Sequence, residues 1–311
     1  MIETLPPVGS APAPGVGLTS IIVVAADSGP LLGSCIDAAM ASTAAFEIVL
    51  VDNASTDGEV ERVATRHRDD DRLIVLRNLQ NLGFGPAANI GARAVRGDVL
   101  LVLNPDCLLR TSTLQRMRSL LATDAGIGVL GVNVCSPDGH AARGNRRRDP
   151  TLPRAALEMS RLARLERHWP WLAGVEVRTP ADRASEPEDV EAVSGACMML
   201  PRETFDQIQG FDEAYFLHAE DLDLCRRVRD AGKRVVIANT IDVVHAQGSS
   251  SRKRPLFVML HKHQGMWRYF NKFDPAARNP LWRALVALGL TAHAAAAAMI
   301  YLARRPGSRN D

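Results

Sequence analysis

The stretch LLVLNPDCLL, residues 100–109, decides the fold. Five consecutive apolar residues, Val99 to Leu103, read as a strand buried on both faces. The chain then turns polar at Asn104, Pro105 and Asp106. Taken alone, Asn-Pro-Asp is a turn, because the Asn side chain and the fixed proline φ both favour one. A second reading is that the strand stops there to present an acid at a sheet rim. The sequence on either side bears on both.

Upstream, TSIIVVA (19–25), FEIVLVD (46–52) and RLIVLRN (72–78) carry the same kind of apolar run. Between them lie stretches of helical spacing: PLLGSCIDAAMAS, EVERVATRHR and GPAANIGARAV, the last begun after a glycine loop. Strand and helix alternate four times up to DVLLVLNPD. That pattern predicts an α/β fold with a mostly parallel central sheet and helices on both faces. Ligands of such sheets sit beyond the carboxyl ends of the strands. Asp52 and Asp106 therefore fall on one rim, which favours the second reading of Asn104-Pro105-Asp106. The first strand ends VAADSG without a GxGxxG, and no GxxxxGK[ST] occurs. A dinucleotide-binding dehydrogenase and a P-loop enzyme are both disfavoured.

Downstream, IGVLGVNVC (127–135) is a fifth strand and SPDGHAARGNRRRDP a turn followed by a basic loop. Residues 152–190 mix a short helix with Pro, Trp and charge and show no clear period. Order returns with ACMMLP as a strand and RETFDQIQ as a helix stopped by Gly210. EDLDLCRRVRDAG is an amphipathic helix with Leu222, Cys225 and Val228 on one face and Gly232 at its end. KRVVIAN is a strand, and VVH leads into a loop. The expected organisation is a loose tail over 1–17, a main domain over 18–250 with halves 18–135 and 136–250, and a helical extension over 251–311.

The chain has 311 residues, 46% hydrophobic and 23% charged, with a formal net charge of +2. That balance fits a globular protein and argues against nucleic acid as a partner. Five widely spaced cysteines with no CxxC argue against a disulfide framework or a zinc knuckle and for a reducing compartment. Residues 1–17, rich in Pro, Gly and Ala without a basic start, do not read as a signal peptide.

Beside Asp106, three further residues carry chemistry. Glu220 and Asp221 open a helix, where the dipole stabilises an acid by about 0.3–1 kcal/mol. Either they are ordinary first-turn acids, or the dipole holds Asp221 ionised, as a general base needs. His245 closes the apolar run IDVVH, as a core histidine or as a ligand. Arg143, Arg146, Arg147 and Arg148 form either a solvated basic loop or a diphosphate clamp. A second basic cluster, Arg252, Lys253 and Arg254, follows His245.

Taken in order, LVDNASTDG, NLGFGPAANIGA, LLVLNPD, the long block SGACMMLPRETFDQIQGFDEAYFLHAEDLDLCRRVRDAGKRV and VVH resemble a family 2 glycosyltransferase of the GT-A fold. Within it they are most similar to the bacterial rhamnosyltransferase-like branch that builds cell-surface polysaccharides. The likeness spans about residues 19–270. It implies a nucleotide-sugar donor, dTDP- or UDP-linked, and a divalent Mg²⁺ or Mn²⁺. Asp52 then matches the position that accepts hydrogen bonds from the pyrimidine base, Asn53 joins it in donor binding, and the loop from Gly83 through Gly85 to Asn89 matches the nucleotide pocket. Asn104-Pro105-Asp106 occupies the place of the DxD motif, with Asn104 where many relatives carry Asp. Asp106 and His245 match the metal ligands, Asp221 the catalytic base and Glu220 its positioning partner. The resemblance also implies inversion by single displacement, with a glycan or polyprenyl-diphosphate-linked acceptor. Sugar transfer, rhamnose from dTDP-rhamnose, is the leading expectation. A catalytically idle nucleotide-sugar-binding partner is the alternative, to which only Asn104 points.

The C-terminal run ALVALGLTAHAAAAAMIYLA, residues 284–303, is just long enough to span a bilayer. Nine alanines and a central His293 weaken that reading. The alternatives are a helix lying on the membrane surface or one packed on the domain. The preceding HKHQGMWRYFNKF suits either a lipid interface or a packing helix with snorkelling bases. The expected location is cytoplasmic, at the inner face of the cytoplasmic membrane.

Overall fold

The structure, a computed structural model, describes residues 15–142, 144–177, 187–246 and 255–304. Arg143 and the Arg252–Arg254 cluster lie outside the described residues, as does most of the expected 1–17 tail.

The alternation read from the first hundred residues is present. In chain order come β1 (Gly15–Ala25), α1 (Leu31–Met40), β2 (Phe46–Asp52), α2 (Glu59–Arg66), β3 (Leu73–Arg77), α3 (Phe84–Ala94) and β4 (Gly97–Leu103). β1 is parallel to both β2 and β4, and β2 to β3. Ile21, Ile48 and Leu101 pack on one face of the sheet, with α1 and with Leu114 and Met117 of a later helix; Ile22, Val49 and Leu100 pack on the other, with α3. Burial on both faces is why these strands read as continuous apolar runs.

β5 (Cys107–Leu108), α4 (Thr113–Leu121), β6 (Ile127–Cys135), β7 (Arg146–Arg147) and α5 (Leu152–Met159) follow. Then come β8 (Glu188–Asp189), β9 (Ala192–Val193), β10 (Cys197–Pro201), α6 (Arg202–Gln207), α7 (Glu220–Asp230) and β11 (Arg234–His245). The sheet order is β3-β2-β1-β4-β10-β6-β11-β5, with β8 on β11. β10 runs antiparallel between β4 and β6. Its reversed direction brings its N-terminal end to the rim where β2 and β4 have their C-terminal ends. Residues 194–196 thereby join Asp52 and Asn104 on the ligand-binding side.

KRVVIAN and the apolar run IDVVH, read from the sequence as separate pieces, are continuous. They form one strand, β11, whose register against β6 shifts between Ala238 and Asp242. Such an irregularity bends a strand and increases its twist. Beyond it, Val244 and His245 pair antiparallel with Leu108 and Cys107. Polar Asn239, Thr240 and Asp242 interrupt the apolar period, so the sequence reads as two pieces.

Two helices end the described chain, α8 (Pro255–Phe273) and α9 (Pro280–Arg304). α8 belongs to the body of the domain. Tyr269 and Phe270 are 2% and 6% exposed, and the Tyr269 hydroxyl donates to Asp149 Oδ1 at 2.9 Å. Lys272 donates to Asp212 Oδ2 at 2.7 Å and Asp223 Oδ2 at 2.6 Å. The aromatic–basic stretch thus packs on the domain, because Tyr269 and Phe270 fill it and Arg268 and Lys272 pair with half-buried Asp212 and buried Asp223. α9 runs back along α8, with His263 Nε2 2.9 Å from His293 Nδ1.

Candidate active site

The rim collects the expected residues through backbone contacts set by the sheet. Asp52 ends β2 and is buried, with Oδ1 accepting from the Ser55 amide at 2.8 Å. Asn53 is the knot of the next loop. Its Nδ2 donates to Asn81 Oδ1 at 2.9 Å and the Gly83 carbonyl at 3.0 Å, while its Oδ1 accepts from the Leu82 amide at 3.0 Å. Gly83 has φ of +90°, and a Cβ there would stand 2.5 Å from the Phe216 carbonyl oxygen. Only glycine satisfies both conditions. Gly85 lies against Phe211, and a Cβ would meet its Cβ at 3.2 Å.

Asn89 faces inward. Its Oδ1 accepts from the Phe211 amide and its Nδ2 donates to the Phe211 carbonyl, both at 2.9 Å. Its amide is engaged in tying α3 to the turn that precedes α7. Asn53, Gly83, Gly85 and Asn89 therefore hold the 78–83 loop and the 211–219 turn together as one wall.

Asn104 is half-buried, and its amide donates to the Ala196 carbonyl at 2.8 Å. One residue earlier in that segment, the Gly195 amide donates to Asp221 Oδ2 at 3.0 Å. Two consecutive residues thus hold the strand-end turn on one side and the helix acid on the other. This is what the turn at Asn104-Pro105-Asp106 is for in the fold: it is bonded into the site rather than projecting into solvent.

Asp106 Oδ1 lies 2.9 Å from His245 Nε2, and the Asp106 carbonyl accepts from the Ala246 amide at 3.0 Å. Ligand atoms of Asp106, Cys107 and His245 all lie within 4.8 Å of one another. The donor set can be tested on its chemistry. A carboxylate and an imidazole suit Mn²⁺, and a carboxylate with water suits Mg²⁺. A thiol is a soft donor poorly matched to these hard cations, and burial pushes the Cys107 thiol well above its usual range. Asp106 and His245 fit; Cys107 is a core residue beside them.

Glu220 and Asp221 open α7 after Ala219, whose φ is +70°, and His218, whose φ is +68°. Two consecutive non-glycine residues in the left-handed region are costly and concentrate at functional sites. Their environments push the two acids apart. Burial alone would raise the Asp221 carboxyl. The Arg147 guanidinium outweighs it, bonding both Asp221 oxygens, and the Gly195 and Leu222 amides add two hydrogen bonds. Asp221 is thereby held ionised, below the usual carboxylate range. Burial, then the Asp221 charge, raises the Glu220 carboxyl, and its Oε2 is shut from solvent without a hydrogen-bond partner. The pair therefore divides into an anion and a neutral acid near neutral pH.

Arg147 was hidden in a run of three arginines. Arg146 is 3% exposed and bonds Glu188 and Asn239, and Arg148 bonds Glu166 Oε1 at 2.6 Å. Only Arg147, between them, turns toward Asp221. The alternation of an extended chain separates 147 from 146 and 148, and was the available signal.

Comparison with known proteins bears on the family and the fold. Residues 20–208 match the glycosyl transferase family 2 model. The chain is 27% identical over 258 residues to the N-acetylglucosaminyl-diphospho-decaprenol L-rhamnosyltransferase of Mycobacterium tuberculosis, covering 74% of this chain and 79% of that one. It is 28% identical over 245 residues to the O-antigen biosynthesis protein RfbC of Myxococcus xanthus, covering 78% of this chain and 18% of the relative. In fold it resembles the mannosyltransferase PcManGT of Pyrobaculum calidifontis, solved with GDP-Man and Mn²⁺, at a TM-score of 0.55 and 21% identity, over 91% of this chain and 75% of that one. With the family model matched across more than half its length and the GT-A architecture around the Asp106 rim, the chain belongs to glycosyl transferase family 2.

Proposed function

We propose that this glycosyltransferase moves L-rhamnose from a dTDP-linked donor to a polyprenyl-diphosphate-linked acceptor, with inversion and with a divalent metal. The observation that carries the reading is the Gly195–Ala196 bridge. It joins the strand-end turn before Asp106 to the ionised Asp221, so donor-side and acceptor-side groups share one rim. The mycobacterial relative, named for rhamnose transfer to a diphospho-decaprenol, supports the choice of sugar and acceptor.

In this reading Asp52 accepts from the pyrimidine base, and the loop knotted by Asn53, with Gly83, Gly85 and Asn89, shapes the wall of the nucleotide pocket. Asn104 and Asp106 face the donor diphosphate. A divalent cation held by Asp106 and His245 would neutralise charge on the departing diphosphate. Asp221 takes the proton of the acceptor hydroxyl as that oxygen attacks the anomeric carbon. Arg147 must loosen its hold for Asp221 to accept that proton. Glu220, protonated, donates a hydrogen bond that orients the acceptor. No covalent sugar–enzyme intermediate forms in a single displacement.

Calorimetry with a panel of dTDP-, UDP- and GDP-sugars and Mn²⁺, followed by turnover on the tightest binder, tests the reading. dTDP-rhamnose should bind tightest and turn over with a polyprenyl-diphosphate acceptor. Binding without turnover on any acceptor, or preference for another donor, would overturn it.

The same proposal places the enzyme at the inner face of the cytoplasmic membrane, attached peripherally. Among the described residues, Pro280–Tyr301 of α9 is the one stretch long and apolar enough to cross a bilayer, and none of it is buried. Leu281 and Leu288 are 64% and 67% exposed. Yet α9 is bonded alongside α8, which is fixed to the domain, and a helix so docked lies along the surface. The protein should sediment with membranes at low salt and leave them in carbonate. Full-length protein that stays soluble at low salt would overturn surface attachment, and protein that survives carbonate would show a spanning helix.

A further inference from the structure

Beyond the proton-transfer roles, the acid pair sits in a shell of nitrogen atoms with nothing to bond. Arg147 Nε, His218 Nε2 and His261 Nδ1 are each shut from solvent without a hydrogen-bond partner. They come from three segments: β7, the 211–219 turn and α8. An isolated buried nitrogen costs free energy, and native structures rarely keep one without a reason. Arg147 and His218 lie beside Asp221 and His261 lies beside His218, and three such nitrogens together call for a shared ligand.

The three are contiguous. Arg147 bonds Asp221 directly. Gly265 of α8 lies against the carbonyl of His218, where a Cβ would stand only 2.4 Å from the oxygen. One turn earlier, the His261 ring stacks on Phe216 at 4.4 Å between centroids and 24° between planes. Lys262 adjoins it, exposed, and its ammonium lies near enough to His218 to oppose a charge there, after the larger effect of burial. Without counting the imidazoles, the cluster holds the Arg147 guanidinium and the Lys262 side chain against one ionised acid, Asp221. Such a set is matched to an anion with several oxygens.

Next to these nitrogens the surface turns apolar. Phe257 packs edge-on against both Phe216 and His261 and is 39% exposed, and Leu260 is 49% exposed. A charged cluster flanked by exposed apolar side chains matches an amphiphile, an anionic head with a hydrocarbon tail. The metal-ligating pair Asp106–His245 is assembled by β5 and β11, whereas this cluster is assembled by β7, the turn and α8.

We propose that Arg147, His218, His261 and Lys262 form a diphosphate-binding subsite, that its ligand is the diphosphate of the lipid-linked acceptor, and that Phe257 and Leu260 carry the first part of the prenyl chain. The inference rests on the glycosyltransfer reading of the same site. The donor's diphosphate has the same chemistry, so the test must separate the two sources.

The test uses the full chain, with farnesyl diphosphate below its micelle concentration, inorganic pyrophosphate, and dTDP with Mn²⁺ as separate titrants. Wild type should bind farnesyl diphosphate more tightly than pyrophosphate. His261→Ala/Lys262→Ala should weaken farnesyl diphosphate at least about tenfold, since charge-assisted hydrogen bonds are lost, and change dTDP binding less than about twofold. Lys262→Arg should restore most of the loss, and Phe257→Ser should weaken farnesyl diphosphate but not pyrophosphate. Lys262 is exposed, so Lys262→Ala alone serves if the double variant melts early. Failure of wild type to bind farnesyl diphosphate, or an unchanged affinity in the variants, overturns the subsite. A loss on dTDP equal to that on farnesyl diphosphate assigns the cluster to the donor and overturns the acceptor assignment. Absence of dTDP binding in wild type tells against the donor reading instead, and leaves the farnesyl diphosphate arm to decide the subsite.

Discussion

Asp221→Asn is expected to abolish transfer while leaving donor affinity within about twofold of wild type. General-base catalysis contributes roughly 10²–10⁴ in rate, so turnover should fall at least about a hundredfold. Asparagine keeps the size of the side chain and one oxygen, which can accept from the Leu222 amide as Oδ1 does while the bond from Gly195 to Oδ2 is lost, so the helix start should survive. What it loses is the basic oxygen and the charge that Arg147 grips. A fall in nucleotide affinity as large as the fall in turnover would remove Asp221 from the acceptor side. Glu220→Gln should behave differently. Burial and the Asp221 charge raise the Glu220 carboxyl, so it is protonated near neutral pH and ionises only on the alkaline side. Wild-type kcat/KM should therefore decline as pH rises through that raised value. Glutamine, an uncharged donor at every pH, should retain activity near neutrality and lose this alkaline limb. An unchanged pH profile in Glu220→Gln would show that the neutral acid has no part in the reaction.

The second large effect belongs to Asp106. Asp106→Ala should eliminate the Mn²⁺ dependence of nucleoside-diphosphate binding, weakening metal-supported affinity by at least about a hundredfold. Loss of a mere outer partner of a metal ligand already costs 10–100-fold. His245→Ala should weaken it less, about tenfold, because the anionic carboxylate ligand remains in place. Cys107→Ala should leave metal binding unchanged, since a soft sulfur is poorly matched to Mn²⁺ despite its place within 4.8 Å of the other two. The check is a Mn²⁺ titration of each variant with dTDP present. Unchanged metal dependence in Asp106→Ala would return Asn104-Pro105-Asp106 to the reading of a simple turn.

The first hundred residues spell out their own architecture. Strands buried on both faces must be apolar throughout, helices covering them must be apolar on one face, and both patterns are local. That is why β1 to β4, the shared rim of Asp52 and Asp106, and the helix opening at Glu220 could all be read from the order of residues. The pairing of the two acids was legible too, because they are adjacent in sequence. Their different protonation was not, for it depends on Arg147, which is distant in the chain and one of three alike.

What only the tertiary structure decided lies at long range. His245 reaches Asp106 because β11 shifts register past Ala238 and its end then pairs with β5. Broken periodicity at Asn239–Asp242 reads locally as the end of a strand, whereas in the sheet it is a bend in one. α8 looked equally suited to lipid or to protein, since Tyr269 and Phe270 are apolar in either setting. The acids waiting for its bases, Asp212 and Asp223, sit on the 211–219 turn and α7 and settle the matter by charge pairing across the fold. Periodicity records which face of an element is buried, and it carries no record of which distant partner buries it.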